Sequence, residues 1–186
     1  MKKLIPIVAF LAIVGFVSQA GAATDDTCGM SVTVSVNVSV SVTNEPLAFG
    51  TVAYDTSDVS DSACTVTNNG SAQNDYRLAV TATPSAWTTV TASPPLGWNY
   101  IRLLALFTSQ TSLSTTDFAE ADDIVAGSET AADEDTYAIT TDGVSFKGYD
   151  CTMTAVRKLW FRFDAPSGTE LTGPQWITVT VYAYQG

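Results

Sequence analysis

The chain has 186 residues and a net charge of −11, with 19 acidic and 8 basic side chains. Nucleic acid and anionic membranes are poor partners for so acidic a protein, because they carry negative charge themselves. Histidine is absent, which excludes Ser-His-Asp and Cys-His relays and imidazole zinc sites. A glycosidase with two carboxylates stays formally open, but no pair stands out, so we expect neither an enzyme nor a cofactor.

The first 23 residues have the layout of a secretory signal peptide. A basic start at Met1-Lys2-Lys3 precedes an apolar run over residues 4–17, and Ala20-Gly21-Ala22-Ala23 offers small-residue cleavage sites. The run is shorter than the roughly 20 residues that span a bilayer, and we expect no membrane span in the mature chain. We therefore predict a signal peptide at 1–23 and a secreted domain at 24–186, extracellular or at the cell surface, with a net charge of −13 once Lys2 and Lys3 are removed.

Residues 31–42 alternate strictly between polar residues and valine, which predicts a strand with one apolar face. At about 3.3 Å per residue the run would reach roughly 40 Å, about twice the length of a usual strand. One sandwich is too short to pair all of it if the run is extended throughout. The valines on the apolar face are Val32, Val34, Val36, Val38, Val40 and Val42.

Further short strands follow at the spacing of a β-sandwich, and the abundance of Val, Thr, Ser, Tyr and Trp favours strands over helices. The segment 101–107 is apolar enough to be buried on both faces. We predict a single antiparallel all-β sandwich of about nine strands, of the jelly-roll or Ig-like kind. The predicted strands after the valine run are 47–54, 63–67, 76–83, 87–92, 98–107, 137–141, 144–149, 156–163 and 176–184.

The polar, acidic stretch 108–135 reads as a long surface connection. Its sequence Asp-Phe-Ala-Glu at 117–120 can cap one short helix. Its carboxylates are the ligands that calcium prefers, with Asp133, Glu134 and Asp135 as the weak candidates, although EF-hand spacing is absent. The alternative is a solvated loop that keeps the protein soluble.

Three cysteines in an exported chain allow one disulfide and leave one thiol over. Cys64 is in phase with Val66 on an alternating strand, and Cys151 precedes a strongly apolar strand, so we favour a bridge between these two. Cys28 would then be free or would pair between molecules. A bridge between Cys28 and Cys64 remains open.

The four tryptophans could form a platform for carbohydrate if several were exposed on one face. Each lies in or beside a strand with apolar neighbours, so we expect packing in the core or on a sheet surface. The four are Trp87, Trp98, Trp160 and Trp176.

The segment Leu-Ala-Phe-Gly-Thr-Val at 47–52, followed by Cys-Thr-Val-Thr-Asn-Asn-Gly at 64–70, resembles a strand pair of microbial surface Ig-like domains. In the order of its elements the chain resembles biofilm fibre proteins of the TasA and camelysin kind and related bundling pilins. The resemblance implies a jelly-roll or Ig-like sandwich whose N-terminal strand enters the next subunit.

Physical reasoning on the valine run leads to this arrangement and to one alternative. A strand near a free N-terminus can complete the open sheet of a second copy, and such head-to-tail addition produces a filament. Otherwise the run is the first strand of its own sandwich. We expect an exported structural subunit of a filament, pilus or surface layer whose partner is itself, with calcium or salt promoting assembly; the alternative is a monomeric module that binds carbohydrate or a cell-surface ligand.

Overall fold

The computed structural model describes residues 31–32 and 35–186. The predicted signal peptide, Cys28 and Val34 lie outside these residues. The chain divides into two units, Met1–Val34 and Ser35–Gly186. In the first unit Ser31 and Val32 are described and both are exposed. The second unit contains all of the regular structure described below.

Nine strands form two sheets in the described part of the chain, which confirms the prediction of an all-β sandwich. The strands are β1 (Val40–Thr43), β2 (Ser57–Val59), β3 (Cys64–Asn68), β4 (Asn74–Ala82), β5 (Thr88–Thr89), β6 (Tyr100–Phe107), β7 (Thr130–Ala131), β8 (Val156–Asp164) and β9 (Thr178–Gln185). Two single-turn 3₁₀ helices, Thr115–Asp117 and Val144–Phe146, lie in the connections. Over the residues described, no helix is long and apolar enough to span a bilayer.

The larger sheet has the order β1-β3-β8-β6-β5. The short strand β2 pairs with β8 on the same side as β3, beyond the end of β3. The smaller sheet has the order β7-β4-β9. The strands pair antiparallel except for β5, which runs parallel to β6. The two sheets enclose the main core, where alternate residues of β3, β6 and β8 face Tyr76, Leu78 and Val80 of β4.

A second, smaller core lies on the outer face of the larger sheet. Leu104, Leu106 and Trp160 point outward there and are covered by Phe118 of the acidic connection. The segment 101–107 is buried throughout, as its apolar sequence predicts, because the connection covers its second face. The connection is therefore packed against the sheet, whereas the sequence indicated a surface loop.

Several predicted elements differ in the structure. Residues 47–54 form no strand, since Gly50 adopts a left-handed conformation with φ of 64° and interrupts the extended run. The short strand β2 lies between the predicted strands 47–54 and 63–67, where the sequence indicated none, and 137–141 and 144–149 form no strands. The helical turn of the acidic connection covers Thr115–Asp117, with Ser114 as its N-cap, and ends where the predicted helix begins.

Candidate functional site

A large apolar groove lies between the two sheets of the described chain. It opens at a seam where β1, an edge of the larger sheet, lies close to β9, an edge of the smaller one. No strand of the described chain pairs with the outer edge of β9. The groove has a volume of about 1110 Å³, and Leu103, Phe161, Phe163, Val179 and Val181 are among the residues that line it.

A segment without regular structure, residues 46–54, lies along this groove, and we call it the strap. Phe49 packs on Phe163 with 5.7 Å between the ring centroids, and Leu47 and Val52 pack against the main core. The strap is tied to the sandwich by hydrogen bonds to Asp61: the Asp61 amide donates to the Ala48 carbonyl at 2.9 Å. The strap thus covers part of an apolar surface that the two sheets leave open.

The sandwich covers the valine run only in part. Val40 and Val42 pack against the main core, while Val36 is 46 % exposed and Val38 37 % exposed. Val32 is also exposed. Among the described residues of the run, the strand predicted over 31–42 is shortened to Val40–Thr43, because its partner β3 ends at Asn68, opposite Val40.

Residues 37–39 are held by the turn that follows β3. The Asn69 amide donates to the Ser39 carbonyl at 3.0 Å, and the Ser71 amide donates to the Asn37 carbonyl at 2.8 Å. The backbone of Asn37 runs so close to Gly70 that a Cβ on this glycine would collide with the Asn37 carbonyl oxygen. Within residues 35–42, Asn37 is therefore the first with hydrogen bonds to the body of the sandwich.

Two buried asparagines support this turn. The Asn68 side chain accepts from the Gly70 amide and from the Asn74 side chain, both at 2.8 Å. It also donates to the Cys151 carbonyl at 2.8 Å. Asn74 in turn donates to the Ser39 carbonyl at 3.3 Å, so the same cluster fixes the place where the valine run joins the sandwich.

A buried ion-pair network lies on the outer face of β6 and β8. The Nε atoms of Arg102 and Arg162 donate to the two oxygens of Asp164 at 2.6 and 2.7 Å. Both guanidinium groups also approach Glu120 of the acidic connection, at 3.2 and 3.4 Å. The hydrogen bond from Arg102 holds the pKa of Glu120 below its usual value, and a hydrogen bond from Ser93 lowers it further. Since Arg162 also donates to the Thr115 carbonyl at 2.9 Å, the network ties the connection to the sheet.

The three calcium candidates are adjacent in sequence but do not converge on one site. Asp133 accepts hydrogen bonds from the amides of Asp135 and Thr136, at 2.9 and 2.7 Å, and so closes a turn. Partial burial acts to raise the pKa of Asp133, but these bonds hold it below its usual value. The Glu134 carbonyl accepts from the buried Lys147 at 2.8 Å. Within residues 31–32 and 35–186, no group of three or more acidic or cysteine side chains is arranged to hold a metal ion.

Cys64 and Cys151 are both free and buried, which corrects the disulfide expected between them. Cys64 opens β3 opposite Leu159, and its thiol faces the Leu159 carbonyl at 3.5 Å. Cys151 lies beyond the other end of β3, where Asn68 binds its carbonyl. Four residues of strand separate the two places by roughly 13 Å, more than a disulfide can bridge. Burial raises the pKa of Cys64 to about 12 and that of Cys151 to about 11.

The tryptophans divide into two groups. Trp160 is buried and Trp87 is half-buried, stacked on Phe163 at 5.7 Å, as expected from their apolar neighbours. Trp98 and Trp176 are exposed, which corrects the expectation that all four are packed.

The accessible surface carries almost no positive charge. Four of the six basic side chains in the described region are buried: Arg102, Lys147, Arg157 and Arg162. Lys158 is exposed, and the half-buried Arg77 lies over the Tyr184 ring at 4.2 Å. Of the acidic residues that the structure describes, by contrast, all but Asp123 and Asp164 reach solvent, so this surface is more uniformly anionic than the net charge of −11 indicates.

No protein family, curated protein or solved structure matches the chain. The resemblance to biofilm fibre proteins therefore stays a prediction.

Sequence reasoning missed the groove and the ion-pair network. The groove depends on where the edges of two sheets lie, which no local pattern encodes. A signal for the network is present, since Arg102 interrupts the apolar segment of β6 and Arg162 and Asp164 stand in the otherwise apolar β8. Charged residues inside such strands indicate a buried and paired charge.

Proposed function

We propose that the chain is an exported structural subunit of an extracellular filament, pilus or surface layer. Each subunit donates the N-terminal part of its valine run to the groove of the next. The observation that carries the proposal is the pairing of an unfilled apolar groove with an exposed apolar segment in one chain. An added strand gains main-chain hydrogen bonds from a free edge, while alternate side chains fill the groove beside it.

Within residues 35–186, the point where the valine run joins the sandwich and the residues around the mouth of the groove lie toward opposite ends of β9. The valine run joins the body beside Asn74, which pairs with Gln185 at one end of β9. The groove is lined by Trp176 to Val179, around the other end of β9, where Thr178 pairs with Ala82. At about 3.3 Å per residue, the two ends of β9 are roughly 23 Å apart. This placement favours donation to a second copy in a head-to-tail chain, which need not close.

We place the donor in the part of the valine run that the subunit's own sheet does not use. Val40 and Val42 belong to the subunit's own sheet, so donation must come from residues 24–36. Val32, Val34 and Val36 share one face of this segment if it is extended. Burying three valines contributes roughly 5 to 9 kcal/mol before the cost of ordering the segment, which is enough to support specific association.

The unpaired edge of β9 and the exposed valines are otherwise a hazard. Uncovered strand edges and uncharged valine-rich segments promote uncontrolled association, and soluble proteins usually protect them. Filling the groove with the segment of a neighbour would remove both features together.

The test uses two variants, each defective on one side of the contact. A chain without residues 24–36 keeps the acceptor groove, and Val181→Asp keeps the donor but places a charge in the groove. Neither should polymerise alone, and mixing them should give a 1:1 dimer that grows no further, as measured by size-exclusion chromatography with light scattering. Thr180→Asp, on the opposite face of β9, is the matched control and should polymerise. A mixture that stays monomeric would refute donation into this groove.

A further inference from the structure

We infer that the loop between β8 and β9 carries a second binding surface, formed by exposed aromatic rings and suited to a neutral polysaccharide. Three exposed rings contact this loop, residues 165–177, or belong to it, and we call them the aromatic cluster: Tyr54, Trp98 and Trp176. They are 57 %, 60 % and 67 % exposed. Tyr54 and Trp176 also line the mouth of the groove, whereas Trp98 is outside the groove lining. Large exposed aromatic surface is unusual for a soluble protein and marks sites of interaction.

The cluster is attached to one well-anchored loop. Trp98 lies against Gly168, where a Cβ would collide with the indole ring. The Asn99 amide donates to the Gly168 carbonyl at 2.9 Å, and the Tyr54 hydroxyl reaches the Thr169 carbonyl at 3.5 Å. Trp176 is part of the loop itself.

The base of the loop is held from below. The half-buried Trp87 donates from its indole nitrogen to the Thr169 hydroxyl at 3.0 Å, and the Leu171 amide donates to the same oxygen at 3.2 Å. The backbone that supports the exposed rings is thus fixed before any ligand arrives. Rigid aromatic side chains on such a support supply contact area at a low cost in conformational entropy.

The surroundings of the rings favour a sugar over an apolar protein surface. The loop contains Ser167, Thr169, Glu170, Thr172 and Gln175 between its few apolar residues. Hydroxyl and amide groups beside an aromatic face match a pyranose, whose C–H face stacks on the ring while its hydroxyls accept and donate hydrogen bonds. The core of a protein interface, by contrast, is depleted in charged residues, and both Asp55 and Glu170 are exposed here.

Charge selects among polysaccharides. The charged groups nearest to the cluster in sequence, Asp55 and Glu170, are both acidic. The nearest arginine, Arg102, is buried and bound to Asp164. Uronic acid polymers and sulfated glycans would therefore be repelled, and the ligand class is an uncharged polymer of hexopyranoses.

The experiment measures binding of the full mature chain to soluble polysaccharides by affinity electrophoresis and intrinsic tryptophan fluorescence. The probes are a β-glucan, a mannan and a galactan as neutral polymers, with polygalacturonate as the anionic one. We expect binding to at least one neutral polymer and none to polygalacturonate. Trp98→Ala should weaken this binding about two- to tenfold, while Trp98→Phe, which keeps a ring, should retain most of it.

Phe146→Ala is the matched control, because Phe146 is an exposed aromatic residue in the 3₁₀ turn Val144–Phe146, outside the cluster. This variant should bind as the unsubstituted chain does, and urea midpoints should show that all three variants are folded. Absence of binding to every neutral polymer, preference for polygalacturonate, or equal losses in Trp98→Ala and Phe146→Ala would overturn the inference. Light scattering on the same samples reports assembly separately, so the filament proposal and this surface can fail independently.

Discussion

The buried ion pair between the strands β6 and β8 allows a sharp test of the fold. Asp164 accepts hydrogen bonds from two arginines and is 1 % exposed, whereas Glu120, which approaches the same arginines, is 47 % exposed. Asp164→Asn retains the shape of the side chain but leaves the buried guanidinium of Arg102 without its closest counter-charge. Breaking a buried pair in this way costs about 3 to 5 kcal/mol, a large part of a typical stability of about 5 to 15 kcal/mol.

Glu120→Gln removes a negative charge from the same network at its solvent-exposed side. Water screens this charge, so the loss should be at most about 1 kcal/mol. Urea unfolding at pH 7, followed by tryptophan fluorescence, measures both variants against the unsubstituted chain. Equal losses for the two variants, or a loss below about 1 kcal/mol for Asp164→Asn, would refute the reasoning that burial determines the size of the effect.

Three further predictions concern titration, thiols and salt. Burial raises the pKa of Asp123 to about 7, so the folded state binds its proton more tightly than the unfolded state. The stabilisation of the folded state by protonated Asp123 is complete below about pH 4 and is lost as the pH rises through about 7. It amounts to about 4 kcal/mol. The difference between the urea midpoints at pH 5 and pH 8 should therefore be smaller in Asp123→Asn than in the unsubstituted chain. At pH 8 a thiol reagent should modify neither Cys64 nor Cys151 in the folded chain and both in guanidinium, and rapid modification of either thiol in the folded chain would contradict their burial. Sodium or calcium ions should promote assembly by screening the anionic surface, and light scattering that is indifferent to both would argue against this electrostatic barrier.

The strands in the middle of the sandwich were predictable because their environments are locally encoded. Residues 101–107 are apolar at every position except Arg102, and the structure buries them on both faces. β3 alternates between inward and outward residues in the structure as it does in the sequence. Such patterns depend only on which side of a strand faces the core.

The limits of the valine run could not be read from its own sequence. Alternation continues over residues 31–42, but pairing stops at Val40 because β3 ends at Asn68 and a turn follows. The length of a strand in a sheet depends on its partner, which lies elsewhere in the chain. For the same reason the disulfide assignment failed, since Cys64 and Cys151 share an inward orientation but lie near opposite ends of β3.

The packing of the acidic connection shows a different limitation. Phe118, Val125 and Tyr137 are buried although acidic residues surround them in the sequence. Phe118 is buried because the second apolar face of β6 must be covered, whereas Val125 and Tyr137 join the main core and share backbone hydrogen bonds with Leu103 and Phe107 of β6. The clue is therefore found in β6 and not in the connection itself.

Negative-stain electron microscopy of the mature chain beside a chain lacking residues 24–36 tests strand donation most directly. The truncation stops before Asn37, so it leaves β1 and its anchor at the turn after β3 in place. Donation of the N-terminal segment predicts filaments from the mature chain and isolated, folded particles from the truncated one. Filaments that persist after the truncation, or isolated particles from both chains across a range of salt and calcium concentrations, would contradict it.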